Sequence, residues 1–160
     1  MLLVTGGTGF IGQVLIRQLV ENDYAVRALV RPSTDTPDLP RKVPVEVALG
    51  DIADPASIRA ALVGVDTIIH LVTGEFMGPD IDLSRVDVRG TRTVVEAAQA
   101  ADAKRILYLS HIGADRASAY PVFKAKGIAE EFIRDSGMTY TILRTGPVFG
   151  PGDHFTTDLV

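Results

Sequence analysis

The chain has 160 residues, of which 46% are apolar and 22% are charged, proportions typical of one soluble domain with its own core. Its apolar runs are far shorter than the roughly 20 residues that cross a bilayer, so no membrane span is predicted. The absence of cysteine excludes disulfides and thiolate metal sites, and a net charge of −4 argues against nucleic-acid binding. We therefore expect a cytoplasmic protein.

Apolar, β-branched runs alternate with segments of helical periodicity from one end of the chain to the other. This alternation predicts a single α/β domain over residues 1–160, built on an open, mostly parallel sheet with helices on both faces. A short helix is expected after Asp54 and a long one after Ser118, with Gly137 ending the long one in the left-handed conformation. The predicted strands cover residues 2–5, 25–30, 45–49, 67–72, 105–110 and 140–144.

A glycine-rich turn follows the first predicted strand. Residues 6–12 read GGTGFIG, which is G-x-x-G-x-x-G between a strand and an amphipathic helix. Gly6 allows a tight turn, Gly9 lets the backbone approach a pyrophosphate, and Gly12 lets the helix pack on the strand. The alternative is a turn that merely tolerates glycine. In this context the pattern predicts a doubly wound Rossmann fold that binds a dinucleotide.

The same segment, TGGTGFIG, resembles the opening of extended and atypical short-chain dehydrogenases/reductases. Three later segments resemble further motifs of that family, namely GDI at 50–52, DVRGTR at 87–92 and LRTGPVFGPGD at 143–153. The resemblance therefore covers essentially the whole chain. The segment LSHIGAD at 109–115 is most similar to the atypical branch that contains NmrA-like proteins and a complex I accessory subunit. One departure is Asp87, which stands where the family has asparagine.

The resemblance implies a bound nicotinamide dinucleotide. The expected cofactor-binding residues are Gly6, Thr8, Gly9, Phe10, Ile11, Gly12, Arg31, Asp51, Ile52, Leu71, Val72, Lys124, Thr145, Gly146, Pro147 and Val148. Arg31 ends the second predicted strand, where an NADP site usually offers arginine and an NAD site an acidic residue. We favour NADP(H) over NAD(H) on this residue. The alternatives are a solvated cation at that position, or Asp35 taking its place.

A Y-x-x-x-K pattern formed by Tyr120 and Lys124 would place both side chains on one helix face. The lysine ammonium would help the phenol to exchange a proton near neutral pH. The resemblance further implies that Lys124 binds the nicotinamide ribose and that Ser110 binds the substrate oxygen. The alternative is an exposed tyrosine above a solvated lysine, and Ser110 precedes Tyr120 by fewer residues than is usual in active members.

The remaining polar residues are expected to be structural. His70 lies in the middle of a predicted strand, and no histidine has partners at metal spacing, so no metal site is predicted. The helix segment with Glu130, Glu131 and Arg134 is predicted to form a solvated face. The two other histidines, His111 and His154, also lack partners at metal spacing. Asp153 and Asp158, which follow Gly150, are expected to cap the loop there.

In the resembled family a C-terminal substrate-binding portion follows, and we expect it to be absent from this chain. The chain is then either a fragment with an open substrate side, or a minimal module that relies on a homo-oligomer or a larger assembly. Two functions stay open. One is an oxidoreductase or epimerase/dehydratase that uses the nicotinamide for hydride transfer, and the other is a non-catalytic assembly subunit or redox-sensing regulator. The resemblance implies a small-molecule substrate, which the sequence does not identify.

Overall fold

The computed structural model describes residues 1–33, 37–75, 77–78 and 80–153. Six strands form one sheet in the order β3-β2-β1-β4-β5-β6, and every neighbouring pair is parallel. The strands are β1 Leu2–Thr5, β2 Val26–Val30, β3 Glu46–Leu49, β4 Thr67–His70, β5 Arg105–His111 and β6 Thr139–Thr145. This order is that of the doubly wound nucleotide-binding fold. From β1 the sheet is extended by β2 and β3 on one side and by β4, β5 and β6 on the other, so the strand order reverses between β1 and β4. The predicted α/β class and Rossmann architecture are confirmed.

The helices connect the strands as crossovers. They are α1 Phe10–Glu21, α2 Pro55–Ala61, α3 Thr91–Ala100 and α4 Pro121–Arg134, and a π-helical segment, Ser84–Gly90, runs directly into α3. Asp54 caps α2 as predicted, since its carboxylate accepts the backbone N–H groups of Ala56 and Ser57. Gly137 has the predicted left-handed backbone, with φ of +71°.

The start of α4 differs from the prediction. The helix begins at Pro121 with Tyr120 as its N-cap residue, so Ser118 is not the cap. The Ser118 hydroxyl instead accepts the backbone N–H of Tyr120, one step before the helix. Proline fixes the first helical position because its φ suits a helix and its missing N–H needs no partner there.

The two faces of the sheet carry separate cores. On one face α2, α3 and α4 cover the strands, and Leu3, Ile68 and Ile106 are fully buried beneath them. On the other face Ile16 of α1 packs against a smaller set of strand residues that includes Val4. Neighbouring residues of β1 thus enter opposite cores, as expected for a strand buried on both sides. Within the described residues, no helix is long and apolar enough to cross a membrane.

Candidate dinucleotide site

The carboxyl ends of all six parallel strands lie at one edge of the sheet, and the predicted site residues follow those ends. The glycine turn follows β1, Arg31 follows β2, and Asp51 comes shortly after β3. The loop after β4 contains Leu71 and Val72. The loop after β6 follows Thr145, and Tyr120 precedes α4. Open α/β sheets bind ligands in the crevice outside this edge.

Three glycines shape the turn after β1, each in a different way. Gly6 has a left-handed backbone with φ of +77°, and a Cβ there would lie 3.0 Å from the backbone of Leu71 and Val72. A Cβ on Gly12 would lie 2.2 Å from the Gly6 carbonyl oxygen, so only glycine allows α1 to approach the turn this closely. These two glycines are required by the fold itself.

Gly9 is different, because a Cβ there would meet only the Gly6 carbonyl oxygen, at 3.4 Å, among the described atoms. Gly9 is the N-cap residue of α1, and no side chain of the described part of the chain caps that helix end. The first turn of α1 also lacks an acidic residue. The turn thus leaves an open approach to uncapped backbone N–H groups, which is what a pyrophosphate requires.

The residues expected around the adenosine half lie beyond β2 and β3. Arg31 is exposed, and its side chain has no hydrogen bond or ion pair within the described residues. Asp51 is half-buried and accepts the Ala53 N–H at 2.8 Å, which shapes the loop after β3. Ile52 is 7% exposed and belongs to the main core, which leaves little of its surface to a ligand. Asp35 lies outside the described residues.

Residues that follow β4 and β6 line the edge on the other side of the glycine turn. Leu71 donates its backbone N–H to the Thr5 carbonyl at 3.1 Å, which holds the loop after β4 against β1. The Thr145 hydroxyl lies 3.5 Å from the Ser110 carbonyl oxygen. The other predicted contacts in these loops and at the start of α1 are half-buried or exposed, namely Thr8, Phe10, Ile11, Val72, Gly146, Pro147 and Val148.

Tyr120 and Lys124 lie together at the start of α4. Lys124 donates its backbone N–H to the Tyr120 carbonyl at 2.9 Å, and both side chains are exposed. The Tyr120 ring, which is 69% exposed, has its centroid 5.7 Å from that of Phe123. The Tyr120 side chain is therefore accessible to solvent.

Ser110 is not free to meet a substrate in this structure. Its side chain points into the interior, and its hydroxyl donates to Glu130 of α4 at 2.6 Å. The residue is 3% exposed. The expected contact with a substrate oxygen is thus replaced here by a buried hydrogen bond between β5 and α4.

The prediction of a solvated face around Glu130 is wrong. Glu130 is fully buried, and its carboxylate accepts hydrogen bonds from Arg144 of β6 and Arg134 as well as from Ser110. Burial raises the pKa of Glu130, but these donors outweigh burial and hold the pKa below its ordinary value. Glu131, one residue on, forms the more exposed ion pair with Arg116.

A second buried charge was missed by the sequence analysis. Lys126 is 3% exposed, and its Nζ lies 3.1 Å from Oδ1 of Asp87 in the π-helical segment. Lys126 is two residues beyond Lys124, which puts the two lysines on different faces of α4. The small and apolar residues Ala125 and Ala129 mark the buried face, and their helical spacing was the signal that would have placed Lys126 beside it.

The histidines and aspartates considered as ligands have structural roles where they are described. His70 is fully buried, and its two ring nitrogens contact the hydroxyls of Thr5 and Thr91 at 2.6 and 3.0 Å. The described residues contain no group of side chains that could hold a metal ion. Asp153 accepts the Gly150 N–H at 2.7 Å, as expected for a loop cap, whereas His154 and Asp158 lie outside the described residues.

The sheet order and the open glycine turn define this chain as a dinucleotide-binding domain of the Rossmann type. The model of the NAD(P)H-binding family matches residues 6–152, and the chain belongs to that family. The comparison leaves the choice between NAD and NADP open, as the family description covers both.

Relatives of known identity include enzymes and an assembly factor. Ceramide reductase of Caulobacter vibrioides is 33% identical over 157 residues, which are 98% of this chain and 49% of that protein. Photosystem II assembly factor Ycf39 of Cyanophora paradoxa is 29% identical over 143 residues, or 89% of this chain and 44% of the relative. The chain thus spans about half the length of these curated relatives.

Among solved structures, a short-chain dehydrogenase/reductase superfamily protein from Agrobacterium tumefaciens with bound NAD is similar to this chain. The identity is 25% and the TM-score 0.74, with 90% of this chain and 48% of the other covered. The resemblance drawn from the sequence motifs is confirmed.

Proposed function

We propose that this chain is the cofactor-binding half of an NADP(H)-dependent oxidoreductase or epimerase-like enzyme. The observation that carries the proposal is the turn at Gly9, where space and uncapped N–H groups face the ligand edge. The ceramide reductase relative, which matches nearly the whole chain, supports an oxidoreductase. The substrate is not assigned, and the cytoplasmic location stays a prediction.

The residues around the proposed site would divide the work. Gly9 and the start of α1 would hold the pyrophosphate, and Arg31 would contact the 2′-phosphate. The cofactor, when bound, supplies hydride chemistry. Tyr120 would give a proton to the substrate oxygen or take one from it, with the Lys124 ammonium nearby. Because the Ser110 hydroxyl donates to Glu130, Tyr120 is the group to which we assign the proton.

Gly9→Val tests the binding site directly. A valine side chain at this position would fill the space proposed for the pyrophosphate, while the fold has room for its Cβ. We expect calorimetry to detect no NADPH or NADH binding, with a melting temperature close to that of the unmutated chain. Val14→Ala, at an exposed position on the same helix, should bind normally. Unchanged cofactor affinity in Gly9→Val would overturn the proposed site.

A second function, a dinucleotide-binding assembly module without turnover, is favoured by one specific observation. The Ser110 hydroxyl is buried against Glu130, so one member of the expected catalytic set does not reach the edge. The similarity to an assembly factor is consistent with this alternative. Bound cofactor would then act by stabilising the folded chain.

A further inference from the structure

A buried ion pair lies directly behind the ligand edge of the sheet. Asp87 is 1% and Lys126 3% exposed, and the ammonium and one carboxylate oxygen are 3.1 Å apart. Lys126 also lies over the Tyr108 ring, 5.1 Å from its centroid, and its Nζ is 3.5 Å from the Leu109 carbonyl oxygen. Both partners are thereby held in fixed positions by α4, β5 and the π-helical segment.

The second carboxylate oxygen of Asp87 has another task. It accepts the backbone N–H of Gly74 at 2.8 Å, thirteen residues earlier in the chain. Gly74 is buried, and a Cβ there would lie 3.0 Å from Leu83 and 3.2 Å from Asp87. The carboxylate therefore holds Gly74, the fourth residue of the connection that follows β4.

That loop forms one wall of the turn at which the pyrophosphate is proposed to bind. Its first residues, Leu71 and Val72, lie so close to Gly6 that a Cβ on the glycine would come within 3.0 Å of their backbone. The loop follows β4, on the opposite side of β1 from the strands that lead to Arg31 and Asp51. Doubly wound folds bind a dinucleotide across the point where the strand order reverses, which here lies between β1 and β4. A dinucleotide bound there with its adenosine toward Arg31 would place its nicotinamide half over β4 and β5.

A buried ion pair by itself is weak evidence of stabilisation, because desolvation of the two charges offsets their attraction. The hydrogen bond to Gly74 points to a more specific purpose. We propose, resting on the proposed function, that Asp87 is a positioning residue. Lys126 orients its carboxylate, and the carboxylate holds the loop of residues 71–74 where the nicotinamide half of the cofactor binds.

Two charge-neutral double variants separate this role from general stability. Asp87→Asn with Lys126→Met keeps an amide oxygen that can accept the Gly74 N–H. Asp87→Leu with Lys126→Met removes that acceptor. Neither variant leaves a buried charge without its partner, so both are expected to fold. The ligands are NADPH, NADH, and the adenosine-half probes ADP and 2′,5′-ADP, with affinities measured by calorimetry.

Of NADPH and NADH, the one that the unmutated chain binds more tightly is used for the comparison. We expect the double variant with Asp87→Leu to bind it about tenfold more weakly than the double variant with Asp87→Asn. This factor corresponds to the loss of one hydrogen bond of ordinary net strength. Both variants should bind the adenosine-half probes as the unmutated chain does. Gly74→Ala provides a second test that alters no charge. Its Cβ would crowd Leu83 and Asp87 and displace the loop, so it should reproduce the selective loss.

Equal dinucleotide affinities in the two double variants would overturn the positioning role, as would an equal loss for the adenosine-half probes. If the double variants do not fold, normal dinucleotide affinity in Gly74→Ala would overturn it. Failure of the unmutated chain to bind any of the four ligands is a separate outcome. That result would overturn the proposed function and this inference together.

Discussion

At the scale of single residues, Arg31 determines the expected cofactor preference. Its guanidinium is exposed at the end of β2 and has no partner among the described side chains, so it is available to a phosphate. A hydrogen bond to a charged group contributes about 1.5–3 kcal/mol, which corresponds to at least about tenfold in affinity. We expect NADPH to bind more tightly than NADH by this factor, and Arg31→Ala to remove the difference in calorimetric titrations.

Arg41→Ala is the matched control for this prediction, because Arg41 is an exposed arginine in the same connection between β2 and β3. It should keep the preference for NADPH. Equal affinities of the unmutated chain for the two cofactors would show that Arg31 is a solvated cation.

His70 is expected to make the stability of the chain depend on pH below about 6.5. Burial, with a smaller effect of the Lys126 charge, lowers the pKa of His70 from 6.5 to about 3. Below pH 6.5 the unfolded chain takes up a proton that the folded chain does not. The free energy of unfolding should therefore fall by about 1.4 kcal/mol per pH unit as the pH drops from 6.5 toward 3.

Urea unfolding between pH 7 and 5 measures this slope. His70→Gln should lower the stability at pH 7, because two threonine hydroxyls lose their ring partner, but its stability should vary less with pH. His111→Gln leaves His70 in place and should retain the slope. An identical slope in His70→Gln would exclude His70 as its source.

At the scale of elements, Glu130 joins α4 to the two last strands. Its carboxylate, on α4, accepts hydrogen bonds from Ser110 of β5 and Arg144 of β6. These hydrogen bonds of Glu130 therefore help to determine how α4 packs on the β5–β6 end of the sheet. Tyr120 and Lys124 stand at the start of the same helix, so this packing also places the proposed proton donor.

Glu130→Gln should lower the free energy of unfolding by about 3 kcal/mol, the lower end of the range for breaking a buried ion pair, since both arginines reach water. Because the pKa of Glu130 is held below its ordinary value of 4.5, this stabilisation is present above that pH and is lost as the pH falls below it. Urea unfolding at pH 7 gives the comparison. Glu131→Gln, which affects a more exposed pair, should cost less than about 1 kcal/mol. Equal losses in the two variants would contradict the role of Glu130.

At the scale of the whole molecule, the described helices cover the sheet unevenly. Arg144 of β6 faces α4, so its neighbour Leu143 points to the opposite face, where it is 52% exposed. The longer relatives have about as much chain again as the part matched here. Turnover by this chain is the measurement that separates the two proposed functions.

Turnover can be tested with NADPH and simple carbonyl compounds. If the chain is an enzyme, Tyr120→Phe should reduce turnover at least about a hundredfold and leave cofactor affinity unchanged, because only the proton donor is lost. Lys124→Met should reduce both turnover and affinity, while Tyr140→Phe, an exposed tyrosine of β6, should change neither. Cofactor binding without any turnover would favour the assembly module, and full turnover in Tyr120→Phe would contradict the assigned proton donor.

Local patterns in the sequence determined the fold class, the positions of six strands and the glycine turn. Alternating apolar runs, the Asp54 cap and the order strand, glycines, helix act over a few residues, so they can be recognised without knowing the packing. The predicted strand over 67–72 ends at His70, because Leu71 and Val72 turn into the loop beside Gly6. Such boundaries depend on contacts with distant residues.

Only the tertiary structure decided which charged residues of α4 are buried. Glutamate and lysine are residue types that usually face solvent. Glu130 is nevertheless buried against Ser110 and Arg144, and Lys126 is buried against Asp87. Ser110, Arg144 and Asp87 are between 14 and 39 residues away from these partners in the chain, a separation that no helical period can indicate, whereas Arg134 lies one helical turn from Glu130. A buried charge is tolerated only where its partner is already in place, and the packing of α4 on the sheet supplies those partners.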